Sequence, residues 1–162
     1  MALCALILFS LVVAIHGFAA PNSLGASCFI FGDSIAQGIA ARIPRCASNT
    51  KIGLTTKAAL QRLMQREHTA LATELAVISL GVNDHDFSTR ANLEVIRSQI
   101  GARQFIWILP PNPAKKEIVL DIADANGDQV IEIDRLTSQD GIHPSIKGYQ
   151  LIADALVLSI RK

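Results

Sequence analysis

Three short stretches of this chain carry side chains that could do chemistry together. In Gly32-Asp33-Ser34 a serine follows an apolar run and opens an amphipathic one. A serine at such a strand-to-helix turn exposes its hydroxyl and sets its own N–H at a helix N-terminus, where developing negative charge is favoured. In Gly81-Val82-Asn83-Asp84, after a second apolar run, the Asn83 amide offers two N–H groups that can hold an oxyanion. In Asp140-Gly141-Ile142-His143-Pro144 a histidine follows a carboxylate by three residues, across a glycine turn. That carboxylate can reach the ring and fix its tautomer, as a histidine that takes a proton from serine requires. Each pattern also has an ordinary structural use. Serine and aspartate cap helices, asparagine closes turns, and an Asp-Pro loop needs no chemistry at all. That last use leaves the histidine without a purpose. Together the three patterns are far rarer by chance than any one alone, and they contain the parts of covalent acyl transfer: a nucleophile, a base with its orienting acid, and an oxyanion donor.

The elements around them are legible from periodicity. Short apolar runs at 27–31, 75–80 and 104–109 read as buried strands, with a weaker strand at 50–52 and a last one at 130–133. Helical spacing is found at 35–43, stopped by Pro44, and at 55–66, 91–100, 115–125 and 145–160. Strands that alternate with helices of about ten residues or more predict a parallel sheet with helices on both faces. Such sheets place their reactive loops at the carboxyl ends of the strands. All three chemical stretches fall in loops of that kind. One domain, residues 27–162, accounts for everything after the N-terminal segment.

At these residues the sequence resembles the SGNH hydrolases, also called the GDSL esterase/lipase superfamily, over residues 27–162. Gly32-Asp33-Ser34-Ile35 is similar to the first family block, with isoleucine where the block ends in leucine. Gly53, in Ile52-Gly53-Leu54-Thr55-Thr56, is similar to the second, Gly81-Val82-Asn83-Asp84 to the third and Asp140-Gly141-Ile142-His143-Pro144 to the last. The resemblance implies a three-layer α/β/α fold with five parallel strands in the order 2-1-3-4-5. It implies an esterase in which Ser34 attacks the ester carbonyl, His143 moves the proton and Asp140 orients the ring. The N–H groups of Ser34 and Gly53 and the Asn83 side chain would hold the oxyanion. A side chain at position 53 would crowd the substrate's approach to that N–H. In the implied strand order the first two strands are neighbours. Cys28 then starts one and Cys46 precedes the other, so a disulfide is expected if the compartment is oxidising, with two buried thiols as the alternative.

Composition narrows the function. A formal net charge of +1 and the lack of any Lys/Arg block give no case for nucleic acid as a partner. Residues 1–32 carry no Asp, Glu, Lys or Arg. The apolar run at 3–15, followed by Gly17 and Ala19 at the small-residue positions of a cleavage site, reads as an export signal cut after Ala19, although no basic residue precedes it. The expected location is therefore secreted or periplasmic, with no membrane partner once the signal is removed. The alternatives are a membrane anchor at 3–18, for which the run is short of the ~20 residues a span needs, and a misassigned start. No metal or cofactor is expected. His85 lies between Asp84 and Asp86, but consecutive residues rarely converge on one ion, and Asp121, Asp124 and Asp128 miss calcium-loop spacing. Asp33, Asp84 and His85 are instead candidate contacts to substrate. A G-x-S-x-G elbow is absent.

The expected substrate is a carbohydrate or small-metabolite ester with a short acyl group, because about 140 mature residues leave no room for a lid. A lysophospholipase or thioesterase is the alternative, with a longer chain lying along Ile35, Ile39 and the 110–113 loop. An acyltransferase would use the same blocks. A non-catalytic binding module would be expected to have lost Ser34, His143 or Asp140, and the sequence keeps all three.

Overall fold

The computed structural model describes residues 28–65, 73–85 and 87–160. The segment read as an export signal, Cys4, His68 and Asp86 lie outside them. Strands β1 (Cys28–Gly32), β2 (Ala47–Thr50), β3 (Thr73–Ser79), β4 (Ala102–Ile108) and β5 (Gln129–Ile131) form one sheet in the order 2-1-3-4-5, every pairing parallel. The fold class and strand order implied by the sequence are those observed.

The apolar runs have a simple cause. β1 is buried along its whole length, as are the carboxyl-terminal halves of β3 and β4, because helices cover both faces of the sheet. Alternate side chains then serve two cores. Phe29, Phe31, Ala76, Ile78, Phe105 and Trp107 face the layer of α2 (Thr56–Met64), α3 (Thr89–Gln99) and α4 (Pro113–Asn126). Cys28, Ile30, Leu75, Val77, Ile106 and Ile108 face α1 (Ser34–Ala40) and α5 (Ile146–Ile160). At about 25 cal/mol per Å² of apolar area removed from water, these two cores are the main drive for folding. Trp107 is a core residue as its apolar strand suggests, and its indole N–H donates to Asp128. Asp128 also takes two hydrogen bonds from Arg97 on α3, so the carboxylate from the calcium-like run is a structural tie.

Two boundaries depart furthest from expectation. β2 lies at Ala47–Thr50, beginning three residues before the expected strand and sharing only Thr50 with it, and pairs with Phe29–Gly32. It is an edge strand with an exposed face, so it needs no apolar run. Ile52, which suggested the later position, is exposed instead. Helix α1 ends at Ala40, and the chain tightens into Arg42 N–H→Ile39 O and Ile43 N–H→Ala40 O bonds that still bury Ile43. A disulfide joins Cys28 to Cys46, with Cα atoms 4.8 Å apart, and ties the start of β1 to the residue before β2. Among the described residues, no helix is long and apolar enough to cross a membrane.

Candidate active site

The carboxyl ends of the strands gather the chemical residues on one edge of the sheet. Ser34 is the first residue of α1. The turn that presents it depends on Gly32, which ends β1 with φ +148°, and on Asp33, whose N–H donates to the Ser79 carbonyl on β3. The Asp33 side chain caps α1 by accepting from the Ile35 N–H at 2.9 Å. The Ser34 N–H belongs to the first turn of the helix, where N–H groups have no intrahelical acceptor.

His143 arrives from the other side, on the loop between β5 and α5. That loop is tightly pinned. Ser138 N–H donates to His143 O, Ser145 N–H donates to Leu136 O, and Thr137 bridges Pro144. Ser145 then caps α5 by accepting from the Gly148 N–H. Inside the loop, Asp140 Oδ1 accepts from Ser138 Oγ and from the N–H groups of Ile142 and His143, each at 2.9 Å. Its Oδ2 lies 2.7 Å from His143 Nδ1. The Ile142 N–H, the His143 ring and the His143 N–H hold the Asp140 carboxyl well below the usual carboxylate range. An ionised carboxylate can only accept, so Nδ1 carries the proton and Nε2 presents a lone pair. That lone pair meets Ser34 Oγ at 2.9 Å. The serine hydroxyl therefore donates to the histidine, and the histidine to the aspartate. The side chains of His143 and Asp140 remain 41% and 46% exposed, so the pair lies open to solvent and substrate.

Gly53 and Asn83 lie on the neighbouring loops. Gly53 has φ +69° in the β2–α2 loop, and a Cβ there would meet no atom within 4 Å. The space a side chain would occupy there is therefore open, and the backbone conformation is the reason for glycine that the fold itself supplies. Asn83 Nδ2 donates to Leu54 O at 3.3 Å, which uses one of its two N–H groups and leaves the other for a ligand. The structure thus brings the hydroxyl, imidazole and carboxylate of the proposed triad into one chain. It also sets the loops of the three oxyanion candidates side by side.

Two candidate substrate contacts are corrected. Asp33 is fully buried, and besides capping α1 it accepts from Ser79 Oγ at 3.1 Å. Asp84 is also buried, and its carboxylate is taken by the Thr56 N–H at 2.8 Å and the Thr56 hydroxyl at 2.5 Å. Both side chains are buried and committed to protein partners, whereas His85, which follows Asp84, is exposed. The partners Ser79 and Thr56 lie 46 and 28 residues away, and no local pattern announces them. Ile35 and Ile39, expected to line a groove for a long chain, are buried against the α1–α5 core. Among the described residues, no group of three His, Cys, Asp or Glu side chains is placed to hold a metal ion.

Burial pushes the Asp33 carboxyl up to about 6, against the opposing pull of the Ile35 and Ser79 hydrogen bonds, and its Oδ2 has no protein partner. A folded-state value above the unfolded 3.8 means that this group supports the fold fully below pH ~4. That support is lost as pH rises through about 6, to the extent of about 3 kcal/mol. Asp140 acts in the opposite sense and in a lower window: its depressed value gives stability above pH ~4 that is lost on acidification. Denaturant unfolding at stepped pH should therefore show Asp33→Asn gaining on the wild type between pH 4 and 7. A difference that does not vary with pH would contradict the upward shift.

No protein-family profile matches the chain, and no curated protein matches it significantly in sequence. Solved structures do. A GDSL-like lipase from Bacteroides thetaiotaomicron superposes with a TM-score of 0.63 at 18% identity, over 85% of this chain and 88% of that one. A member of the lipolytic G-D-S-L family from Veillonella parvula gives 0.60 at 18%, over 80% and 95%. The catalytic domain of peptidoglycan O-acetyltransferase A from Streptococcus pneumoniae gives 0.58 at 16%, over 83% and 92%. At such identities the likeness is one of fold: this chain has the three-layer fold of the GDSL-type hydrolases.

Proposed function

We propose that this protein is a serine carboxylester hydrolase of the SGNH type that removes acetyl or other short acyl groups from a carbohydrate or small polar metabolite. The observation that carries the reading is the hydrogen-bonded chain from Ser34 Oγ to His143 Nε2 at 2.9 Å and from His143 Nδ1 to Asp140 Oδ2 at 2.7 Å. It sits beside oxyanion candidates from two other loops, on a fold shared with a GDSL-like lipase and an O-acetyltransferase. Export by the N-terminal segment is part of the same proposal.

The steps follow from the geometry. Ser34 Oγ attacks the ester carbonyl carbon while its proton passes to His143 Nε2. The carbonyl oxygen takes the electron pair and is met by the N–H groups of Ser34 and Gly53 and the free N–H of Asn83. Collapse expels the alkoxide, which leaves with the proton from Nε2. Water then gives a proton to Nε2 and attacks the acyl-serine. The second collapse returns that proton to Ser34 and frees the acid. Asp140, ionised throughout, steadies the imidazolium formed in each half.

An open triad suits a short acyl group on a large polar alcohol. One observation favours an apolar substituent instead. Ile52, Phe87 and Ile142 are exposed on the same loops that carry Gly53, Asn83 and His143. A p-nitrophenyl ester series from acetate to decanoate separates the two readings. Turnover highest at acetate or propionate is expected. An optimum at octanoate or longer would move the assignment to a lysophospholipase or thioesterase, and no turnover across the series would remove the hydrolase reading.

A further inference from the structure

Two of the three oxyanion donors proposed above come from loops whose strands do not pair directly with each other. Gly53 follows β2 and Asn83 follows β3, and β1 lies between those strands. Strand pairing fixes only the ends of β2 and β3, through Gly32, which pairs with both Thr50 and Ser79; the donors lie beyond those ends, and their spacing decides whether both reach one oxygen atom. The described residues show a direct link instead. Asn83 donates to Leu54 O, one residue beyond Gly53. Asp84 accepts from the Thr56 N–H at 2.8 Å and from Thr56 Oγ1 at 2.5 Å. Asn92, on α3, donates to the same Thr56 hydroxyl at 3.1 Å and to Ser88 Oγ at 2.9 Å. Two consecutive residues of one loop thus grip the segment immediately after Gly53 in the other.

We propose that Asp84 is a positioning residue that locks the Gly53 and Asn83 loops to each other and so sets the spacing of the oxyanion hole, a role that rests on the esterase reading. The chemistry of the contact supports the lock. Thr55 already caps α2 by accepting from the Ala58 N–H. The Thr56 N–H is a further first-turn donor with no acceptor inside the helix. A carboxylate supplied from the next loop satisfies it and is favoured at a helix N-terminus. Asp84 and Thr56 are both buried, 8% and 0% exposed, so water does not readily replace either bond. Asp84 does not reach the reacting atoms. It acts through the amide beside it and through the backbone that it holds.

The test is a mutant cycle on hydrolysis of the best ester in the series. Asp84→Ala is expected to lower kcat by about 10- to 100-fold with KM within a few-fold of wild type, as misplacement of catalytic donors does. Asn83→Ala should lower it by about 10²–10³-fold. The double variant should be little worse than Asn83→Ala alone, because the second change acts largely through the group already removed. Should Asp84→Ala not fold, Thr56→Val and Thr56→Ser replace it. Valine removes the hydroxyl donor and should cost several-fold in kcat, and serine keeps it and should restore wild-type turnover. Full additivity in the double variant, or an unchanged kcat in folded Asp84→Ala or Thr56→Val, overturns the positioning role while leaving the esterase standing. A wild type inactive on every ester overturns the esterase reading and this role with it.

Discussion

Ser34→Ala is expected to reduce kcat on any ester substrate by on the order of 10⁵- to 10⁶-fold, with KM little changed. The size follows from what the serine lacks on its own. An isolated hydroxyl is a poor nucleophile at neutral pH, and its attack depends on losing the proton as the new bond forms. Here the Nε2 lone pair, 2.9 Å away, takes that proton, and an ionised Asp140 holds the ring in the correct tautomer. His143→Ala should therefore cost nearly as much as Ser34→Ala, and the double variant should be no worse than either, since each single change stops the same step. Asp140→Asn should cost less, about 10²–10⁴-fold, because the half-exposed loop admits water to the ring nitrogen. Stability gives the control. Ser34 is half-buried, its hydroxyl bonds only outward to His143, and its loss should shift the unfolding free energy by no more than about 0.5 kcal/mol. Turnover by a folded Ser34→Ala variant at even a tenth of the wild-type rate would remove the serine from the nucleophile's role.

The residues of the site were more legible than the reasons they sit where they do. β1, β3 and β4 betray themselves because both of their faces are buried, at least toward their carboxyl ends, and a strand buried on both sides has to be a continuous apolar run. Locating those strands locates the loops at their carboxyl ends. Ser34 and Asn83 stand out in the loops after β1 and β3, and His143, in the loop after β5, stands out by the carboxylate three residues before it; it is their combination that marks a site. β2 is poorly marked in the sequence for the complementary reason. Ala47–Thr50 is an edge strand with a polar face, and the nearby apolar residue, Ile52, is exposed to solvent. Burial of the acidic residues was not legible at all. Asp33 and Asp84 lie in polar loops next to glycine and asparagine, where carboxylates are usually solvated. What buries them is Ser79 and Thr56, brought in by the topology from distant parts of the chain. The same holds for Trp107, whose indole partner Asp128 lies in the turn between α4 and the neighbouring strand β5. Local pattern shows which groups can react, and only the assembled sheet shows which polar groups hold the others in place.

Gly32→Ala is expected to have the largest effect on stability, roughly 4 kcal/mol or more, enough to leave much of a marginally stable domain unfolded. A Cβ on Gly32 would fall well inside the contact distance of the Ser79 carbonyl oxygen, 2.8 Å from the Ser79 carbonyl carbon and 3.1 Å from the Ala36 Cβ. The backbone has no room to retreat. Gly32 is paired with Thr50 on one side and Ser79 on the other, its own carbonyl accepts from the Lys51 N–H, and the next N–H donates to the crowded Ser79 oxygen. Relief of the clash would pull apart the pairing of β1 with β3 or rotate the turn that presents Ser34. The φ of +148° adds strain for any L side chain. Gly53→Ala provides the contrast, because position 53 has an equally unusual backbone, φ +69°, but nothing within 4 Å of the new atom. Its cost should be only the left-handed backbone term, about 1–2 kcal/mol. Urea denaturation of both variants separates close approach from conformational freedom. If alanine is tolerated at 32 as well as at 53, the approach of β1 to the Ser79 carbonyl is not what fixes the nucleophile's turn.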